Sequence, residues 1–395
     1  MLLNKLEGKV KNNISKSNFF RGVSFLVGGN ISSLVFTLAA SPILTRLYAP
    51  EAFANLAIYI SSVALVNVIS SLRYELAIPI ADNDKDANNL TILSFLINIL
   101  VTLIVVFFLI LFIPLVSLPY YCYFFFPLGI LSGGLYKTIR FWAIRNKKFS
   151  DIASNRVKQI FLTILIQLLS FKFGGVGLII GNLFGFIFAG ITLTSSLYKL
   201  LDFKIVTEKN LLDVAFLYKR FPFYSTFSGL SSTAGLRLPP ILFLYFFGPV
   251  STGLYALSDR IMTLPMSLIG SSVAQVFRIH GLDAKKDGNL TKLVKNLHFI
   301  LAQFSFPIMA LVLLTGPDLF ELIFGNTWKD AGMIASVLSP WVYLTLITSP
   351  LSSLFGINKQ EKKSFRFHIV TLIGRLLAIF FGIKSGDFMQ TIILF

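Results

Sequence analysis

Three residues raise the question of chemistry in this 395-residue chain: Arg237, Asp259 and Arg260. Each interrupts a stretch apolar enough to cross a membrane. A charged side chain at mid-helix costs on the order of 3 kcal/mol on insertion scales, so it is found where it faces a wet cavity or a charged partner. Arginine offers a planar fork of donors that matches phosphate and carboxylate oxygens. An aspartate beside it can hold that fork in place or carry a proton. Anion binding within a membrane is therefore the chemistry these residue types suggest. Asp259 and Arg260 are adjacent, about 100° apart around a helix, so they do not neutralise each other face to face. Either Asp259 pairs with Arg237 and Arg260 faces a cavity, or the reverse. A satisfied ion pair that only fixes helix packing is the plainer alternative.

Further charges flank the apolar runs. Arg46 ends the first run, Arg73 and Glu75 end the second, and Arg140 ends the fourth. All four are candidate binding residues. Arg46 is explained equally well as an interface residue whose head snorkels to water, and Arg140 as a topology charge. Glu75, like Asp259, has the chemistry to carry a coupling proton. Arg375 lies inside the eleventh run, where an acidic neighbour would satisfy it. Pro42, Pro239, Pro240 and Pro265 lie in or at the ends of the first, seventh and eighth runs, where a lost backbone hydrogen bond permits a bend.

The elements that must position these residues follow from composition. The chain is 55% hydrophobic and 13% charged, whereas soluble domains carry about 25% charged residues. Its mean hydropathy of +0.77 is that of a chain dissolved in lipid. Apolar runs lie near 22–44, 52–72, 89–114, 118–139, 159–171, 174–198, 222–246, 253–277, 297–316, 331–355 and 366–383. Most can cross a ~30 Å hydrocarbon layer as helices. The fifth is short and is expected to start earlier, around Ser154. The closing "DFMQTIILF" is expected to be the start of a twelfth helix, cut short or a stub. The polar, basic N-terminus is not expected to be a cleaved signal.

Basic residues set the orientation. With a cytoplasmic N-terminus, 28 Lys and Arg fall on the cytoplasmic side and four (Arg46, Lys172, Lys329 and Lys384) on the outer side. This bias accounts for the net charge of +17 and makes nucleic acid an unneeded partner. One cysteine, Cys122, excludes an internal disulfide, and His280, His298 and His368 are too scattered for a metal cluster. No metal or cofactor is expected.

Enzymatic readings find little support. No phosphate-binding glycine loop of the G-x-x-x-x-G-K-[ST] type is present. The histidines lie at the cytoplasmic edge, away from any Ser/His/Asp grouping. "DNDKD" (82–86) contains D-x-D patterns that suit a metal and a nucleotide sugar, but a solvated loop with Asp86 capping the next helix explains it better. The outer connections are short. The longest, "TGPDLFELIFGNTWKDAG", is expected between the ninth and tenth helices.

The chain also repeats itself. "YAPEAFANLAIY" (48–59) resembles "FGPVSTGLYALS" (247–258), with Pro50 matching Pro249. "NLT" at 89–91 recurs at 289–291. Pro127, Trp142 and Ile144 match Pro340, Phe355 and Ile357. Two six-helix halves of the same orientation follow, with a substrate path between them. The expected divisions are an N-terminal segment 1–21, a first bundle 22–198, a linker 199–221 and a second bundle 222–395 with an incomplete last helix.

Several stretches carry a resemblance to a known family. They are "SPILTRLYAPEAFANLAIY" (41–59), "SLRYELAIPIADNDKDANNL" (71–90), "FWAIRNKKFSDIASNRV" (141–157), "YKRFPFYSTFSGL" (218–230) and "GLYALSDRIMTLPMSLIGSSVAQVF" (253–277). Together the chain resembles the polysaccharide and O-antigen flippases of the multidrug/oligosaccharidyl-lipid/polysaccharide exporter superfamily. The resemblance implies an all-α polytopic protein of about twelve helices, in two pseudo-symmetric bundles that form a V-shaped alternating-access carrier. It implies a non-enzymatic role in O-antigen, capsule or exopolysaccharide synthesis. The substrate would be an undecaprenyl-pyrophosphate-linked oligosaccharide, moved from the inner to the outer leaflet of a bacterial cytoplasmic membrane. The bilayer itself and the polymerase and chain-length proteins of the same pathway would be its partners. A multidrug cation antiporter of the same superfamily should instead carry acidic residues deep in its cavity. A membrane polymerase should carry a large outer loop.

Overall fold

The computed structural model describes residues 2–112, 120–286, 288–349, 354 and 361–395. The connection near 114–119 and the repeat positions Phe355 and Ile357 lie outside them. All the regular structure described is helical. The first half contains α1 (Leu2–Leu47), α2 (Pro50–Ile69), α3 (Asp84–Phe112), α4 (Tyr120–Arg145), α5 (Phe149–Leu169) and α6 (Gly175–Leu197). A short linker helix, α7 (Glu208–Leu217), leads to α8 (Thr226–Lys286), α9 (Leu290–Phe324), α10 (Lys329–Thr348), α11 (Glu361–Ser385) and α12 (Phe388–Leu394). Eight described segments are long and apolar enough to cross a membrane. One of them, Phe221–Leu264, spans both limbs of α8. As expected, α5 begins well before residue 159.

Local chemistry sets the breaks. The prolines at 42, 239 and 240 leave their helices continuous, whereas α8 breaks at Gly248, whose φ of 80° suits glycine alone. Pro249 follows at once, as Pro50 opens α2 with its ring at the first turn, where a missing N–H costs nothing. The two repeat motifs thus form two equivalent corners, and they meet. A Cβ on Gly253 would overlap the Pro50 carbonyl, so only glycine lets α8 approach α2 this closely.

Two expectations are corrected. Residues 315–324 are not loop: α9 runs through Pro307 and Pro317 to Phe324, and only a short turn, Asn326–Trp328, separates it from α10. Gly325, at φ 102°, ends the helix. Asp86 does not cap α3 alone. The Asn83 side-chain oxygen accepts from the Asp86 N–H at 2.7 Å, and the Asn83 amide donates back to the Asp86 carboxylate at 2.9 Å, so Asn83 supplies the cap and Asp86 completes a reciprocal box.

Each half packs internally, α1 on α5, α5 on α6 and α3 on α4 in one, α9 on α10 and α8 on α11 in the other. The main contact between halves runs between α2 and α8. One core cluster spans this contact, with Leu44, Tyr48 and Phe53 beside Phe243, Leu257 and Trp328. The linker docks on the connections of the first half. Asn88 and Asp202 exchange two bonds, at 2.8 and 3.0 Å, and the Tyr74 hydroxyl donates to the Ala215 carbonyl at 3.0 Å. The short α12 is held by aromatic packing, with Phe388 and Phe395 edge-on to Phe243 at 5.4 and 6.2 Å.

Candidate functional site

A cavity of about 530 Å³ lies between the halves. Its first wall comes from α1, α2, α4, α5 and α6, through Thr37, Tyr59, Ser61, Asn67, Arg156, Gln159, Gln167 and Asn182 among others. Its second wall is α8, which contributes Arg237, Tyr255, Asp259, Arg260 and Thr263. The break at Gly248 folds α8 back on itself, which brings Arg237 on one limb near Asp259 on the other.

The three charges singled out in the sequence therefore share one cavity. Arg237 and Arg375 are the positive charges that act on Asp259. Among the described residues Arg260 has no hydrogen-bond or ion-pair partner. Among these residues Asp259 is ion-paired with neither Arg237 nor Arg260, so neither of the two pairings open in the sequence is formed, and all three line the same cavity. Arg375 finds its partners in a backbone and two rings. It donates to the Gly235 carbonyl at 2.7 Å and lies over Trp341 and Phe395 at 5.2 and 5.5 Å.

The other candidates lie elsewhere. Arg46 and Arg140 are exposed, at the ends of α1 and α4. Arg73 and Glu75 lie at the turn after α2, where Leu72 and Arg73 both adopt left-handed conformations, at φ 47° and 63°. Glu75 is fully buried. It accepts from Ser71 at 2.7 Å and pairs with Lys137 at 3.1 Å, and Arg73 approaches it at 4.0 Å. None of these four belongs to the described lining of the cavity. Arg73 instead reaches over Gly229 at the start of α8, where a Cβ would overlap its guanidinium.

One charged wall residue escaped the sequence reading. Arg156 was grouped with the basic cytoplasmic connection, yet it sits within α5 and donates to the Gln159 side chain at 2.8 Å. The neutral polar residues were missed as well. On α1 they form a ladder: Ser33, Thr37 and Ser41 each donate to the carbonyl four residues back, at 2.8, 2.8 and 2.7 Å. Around the cavity, Ser61 Oγ, Asn67 Oδ1 and Gln167 Oε1 are buried without a partner. The described lining sets three arginines, Arg156, Arg237 and Arg260, against one carboxylate, Asp259. No group of acidic, His and Cys residues able to hold a metal is found among the described residues.

The fold is that of known transporters. A lipid II flippase, MurJ, in its inward closed conformation superposes with a TM-score of 0.70, at 17% identity, over 96% of this chain and 83% of that one. An inward-facing multidrug resistance MATE family transporter of the MOP superfamily gives 0.69, at 15% identity, over 94% of both chains. A MOP superfamily transporter from Pyrococcus furiosus gives 0.60 at 14% identity, over 94% of this chain and 92% of that one. In sequence, the teichuronic acid biosynthesis protein TuaB of Bacillus subtilis (strain 168) is 24% identical over 163 residues, which are 41% of this chain and 34% of that protein. The match thus spans about a third of that relative's length. The family model for polysaccharide biosynthesis proteins matches residues 43–333, which include both faces of the cavity and the contact between the halves. The chain is a multi-pass membrane protein with the fold of the MOP superfamily, and it belongs to the polysaccharide biosynthesis protein family.

Proposed function

We propose that this protein is a flippase that carries undecaprenyl-pyrophosphate-linked oligosaccharides from the inner to the outer leaflet of a bacterial cytoplasmic membrane. Its N-terminus would be cytoplasmic, and its role would be in O-antigen, capsule or exopolysaccharide synthesis. It would catalyse no reaction. The observation that carries this reading is the cavity between the halves, in which Arg260 stands unpaired beside Arg237 and Asp259. A pyrophosphate is the anion such forks suit. The sugar head group would occupy the wet cavity while the lipid tail stays in the bilayer. Separation of the halves at alternate ends would expose the cavity to each side in turn. The division into bundles at 22–198 and 222–395, joined by the linker 199–221, fits this scheme.

The family and the fold support the reading. One structural relative, a lipid II flippase, carries a cargo across the bilayer of the kind proposed here. A multidrug cation antiporter fits less well, because a cationic drug would meet three arginines and a single carboxylate. The test is genetic and chemical. Deletion should cause lipid-linked oligosaccharides to accumulate on the inner leaflet and surface polysaccharide to disappear. Arg260→Ala should reproduce this, with translocation falling on the order of tenfold or more, the equivalent of one lost charge-assisted bond. Unchanged translocation and unchanged surface polysaccharide in Arg260→Ala would overturn the site assignment.

A further inference from the structure

The wall opposite Arg237 and Arg260 has a different chemistry, and its unpaired atoms are neutral oxygens, two from amides and one from a hydroxyl. Ser61 Oγ, Asn67 Oδ1 and Gln167 Oε1 are buried, border the cavity and have no hydrogen-bond partner. A polar atom left in that state costs about 1–3 kcal/mol, so the two amide oxygens need donors from the cavity, and the Ser61 hydroxyl needs a partner to which it donates or from which it accepts. Their neighbours are already engaged. Gln159 accepts from Arg156 at 2.8 Å, the Gln167 amide donates to the Leu178 carbonyl at 3.0 Å, and the Lys137 ammonium takes the Asn67 backbone carbonyl at 2.6 Å. The bond to Leu178 fixes the Gln167 side chain while leaving its oxygen free, and the Lys137 bond holds the Asn67 backbone.

Space for them is built into α4. A Cβ on Gly133 would lie 2.6 Å from the Asn67 amide nitrogen, and one on Gly129 would overlap the Tyr59 hydroxyl. The two glycines are four residues apart, on one face of the helix. They let Asn67 and Tyr59 lie back against α4 instead of filling the cavity.

We infer that Ser61, Asn67 and Gln167, with Tyr59 beside them, form the subsite for the sugar head group, separate from the anion-binding wall of α8. A pyranose ring offers a hydroxyl donor at most of its carbons and an apolar face for an aromatic ring. Neutral acceptors read those hydroxyls without attracting a second phosphate. The first half would therefore select the glycan and α8 would hold the pyrophosphate. A substrate that contacts both walls draws the halves together. This assignment rests on the flippase reading and adds which wall reads which part of the substrate.

The test uses the full-length protein in lipid nanodiscs and two probes. One is undecaprenyl pyrophosphate. The other is the lipid-linked oligosaccharide extracted from native cells that lack this chain. Asn67→Ala should weaken binding of the sugar-bearing lipid on the order of tenfold and leave undecaprenyl pyrophosphate binding unchanged. Ser61→Ala, which removes one atom and no packing contact of size, should act in the same direction if Asn67→Ala fails to fold. Arg260→Ala should weaken both probes. The assignment falls if the wall variants bind the sugar-bearing lipid normally, or if they weaken both probes equally. The assignment of the pyrophosphate to Arg260 falls separately, if Arg260→Ala weakens neither probe. A deletion that accumulates no lipid-linked oligosaccharide removes that reading and this assignment with it.

Discussion

The Trp328 indole N–H donates to the Thr45 carbonyl at 2.9 Å, and Phe53 stands edge-on to the same ring at 4.9 Å. Trp328 belongs to the short turn before α10, Thr45 to the end of α1, and Phe53 to α2. One side chain, only 1% exposed, thus ties the second half to both limbs of the first corner. The bond joins residues 283 apart in sequence, at the same end of the molecule as the Pro50–Gly253 contact. A carrier that alternates between two open states must break this tie to open that end.

Trp328→Phe should therefore favour the state open at this end. It keeps an aromatic ring but leaves the buried Thr45 carbonyl unpaired, a cost of about 1–3 kcal/mol to the closed state. Labelling of Ala52→Cys, a buried position in α2, by an impermeant maleimide in a Cys122→Ser background should rise on the order of tenfold. Equal labelling with and without Trp328→Phe would show that the tie does not hold this end shut.

At the other end, Arg73 and Gly229 make the corresponding approach between halves. Gly229→Ala has no room for its methyl while Arg73 stays in place, though the arginine can swing away. The single variant should shift the conformational equilibrium towards opening at this end. Arg73→Ala, which removes the obstructing group, should suppress the effect of Gly229→Ala. The coupling in such a double-mutant cycle should reach about 0.5–3 kcal/mol, read from spin-label distances across the end. Additive single effects would argue that the two residues do not touch in the membrane.

Glu75 makes a prediction about stability instead of transport. Its side chain is fully buried, with Lys137 at 3.1 Å and Ser71 at 2.7 Å. Glu75→Ala leaves the ammonium of Lys137 uncompensated, which in a buried pair costs about 3–5 kcal/mol. Lys137 is partly exposed, so the lower end of that range is expected. Pairing Glu75→Leu with Lys137→Met should recover much of the loss. Thermal unfolding in detergent measures both. A Glu75→Ala protein as stable as the wild type would show that this buried pair does not hold the turn after α2 together.

The sequence made the helices and their charges legible because both signals are large. Runs of twenty apolar residues announce membrane helices, and Asp259 and Arg260 are conspicuous inside one. Arg156 was hidden by its neighbours: five other basic residues lie between 140 and 158. Its place was decided by the start of α5 at Phe149, which brings it inside the helix. Ser61, Asn67 and Gln167 were invisible for another reason. Neutral polar side chains barely dent hydropathy, and whether they line a cavity depends on which face of the helix its neighbours cover. The stretch at 315–324 misled because Gly316 and Pro317 resemble loop punctuation. In a packed membrane helix the lost bond at a proline is tolerated, and α9 simply continues.

Asp259 provides the sharpest division between the remaining roles. The described lining of the cavity carries three arginines against this one carboxylate. If Asp259 restrains Arg237, with Arg375 acting on it from α11, then Asp259→Asn releases a cation into the cavity. Undecaprenyl pyrophosphate should then bind more tightly, with a steeper loss of affinity as salt is raised, since one more uncompensated charge faces the anion. Turnover should fall, because tighter binding in the starting state slows release. Arg237→Gln added to Asp259→Asn should reverse both changes. If Asp259 instead carries a coupling proton, Asp259→Asn should leave anion affinity and its salt dependence unchanged, abolish any dependence of transport on a proton gradient, and gain nothing from Arg237→Gln. Affinity against salt, measured for the two variants side by side, decides between the two roles.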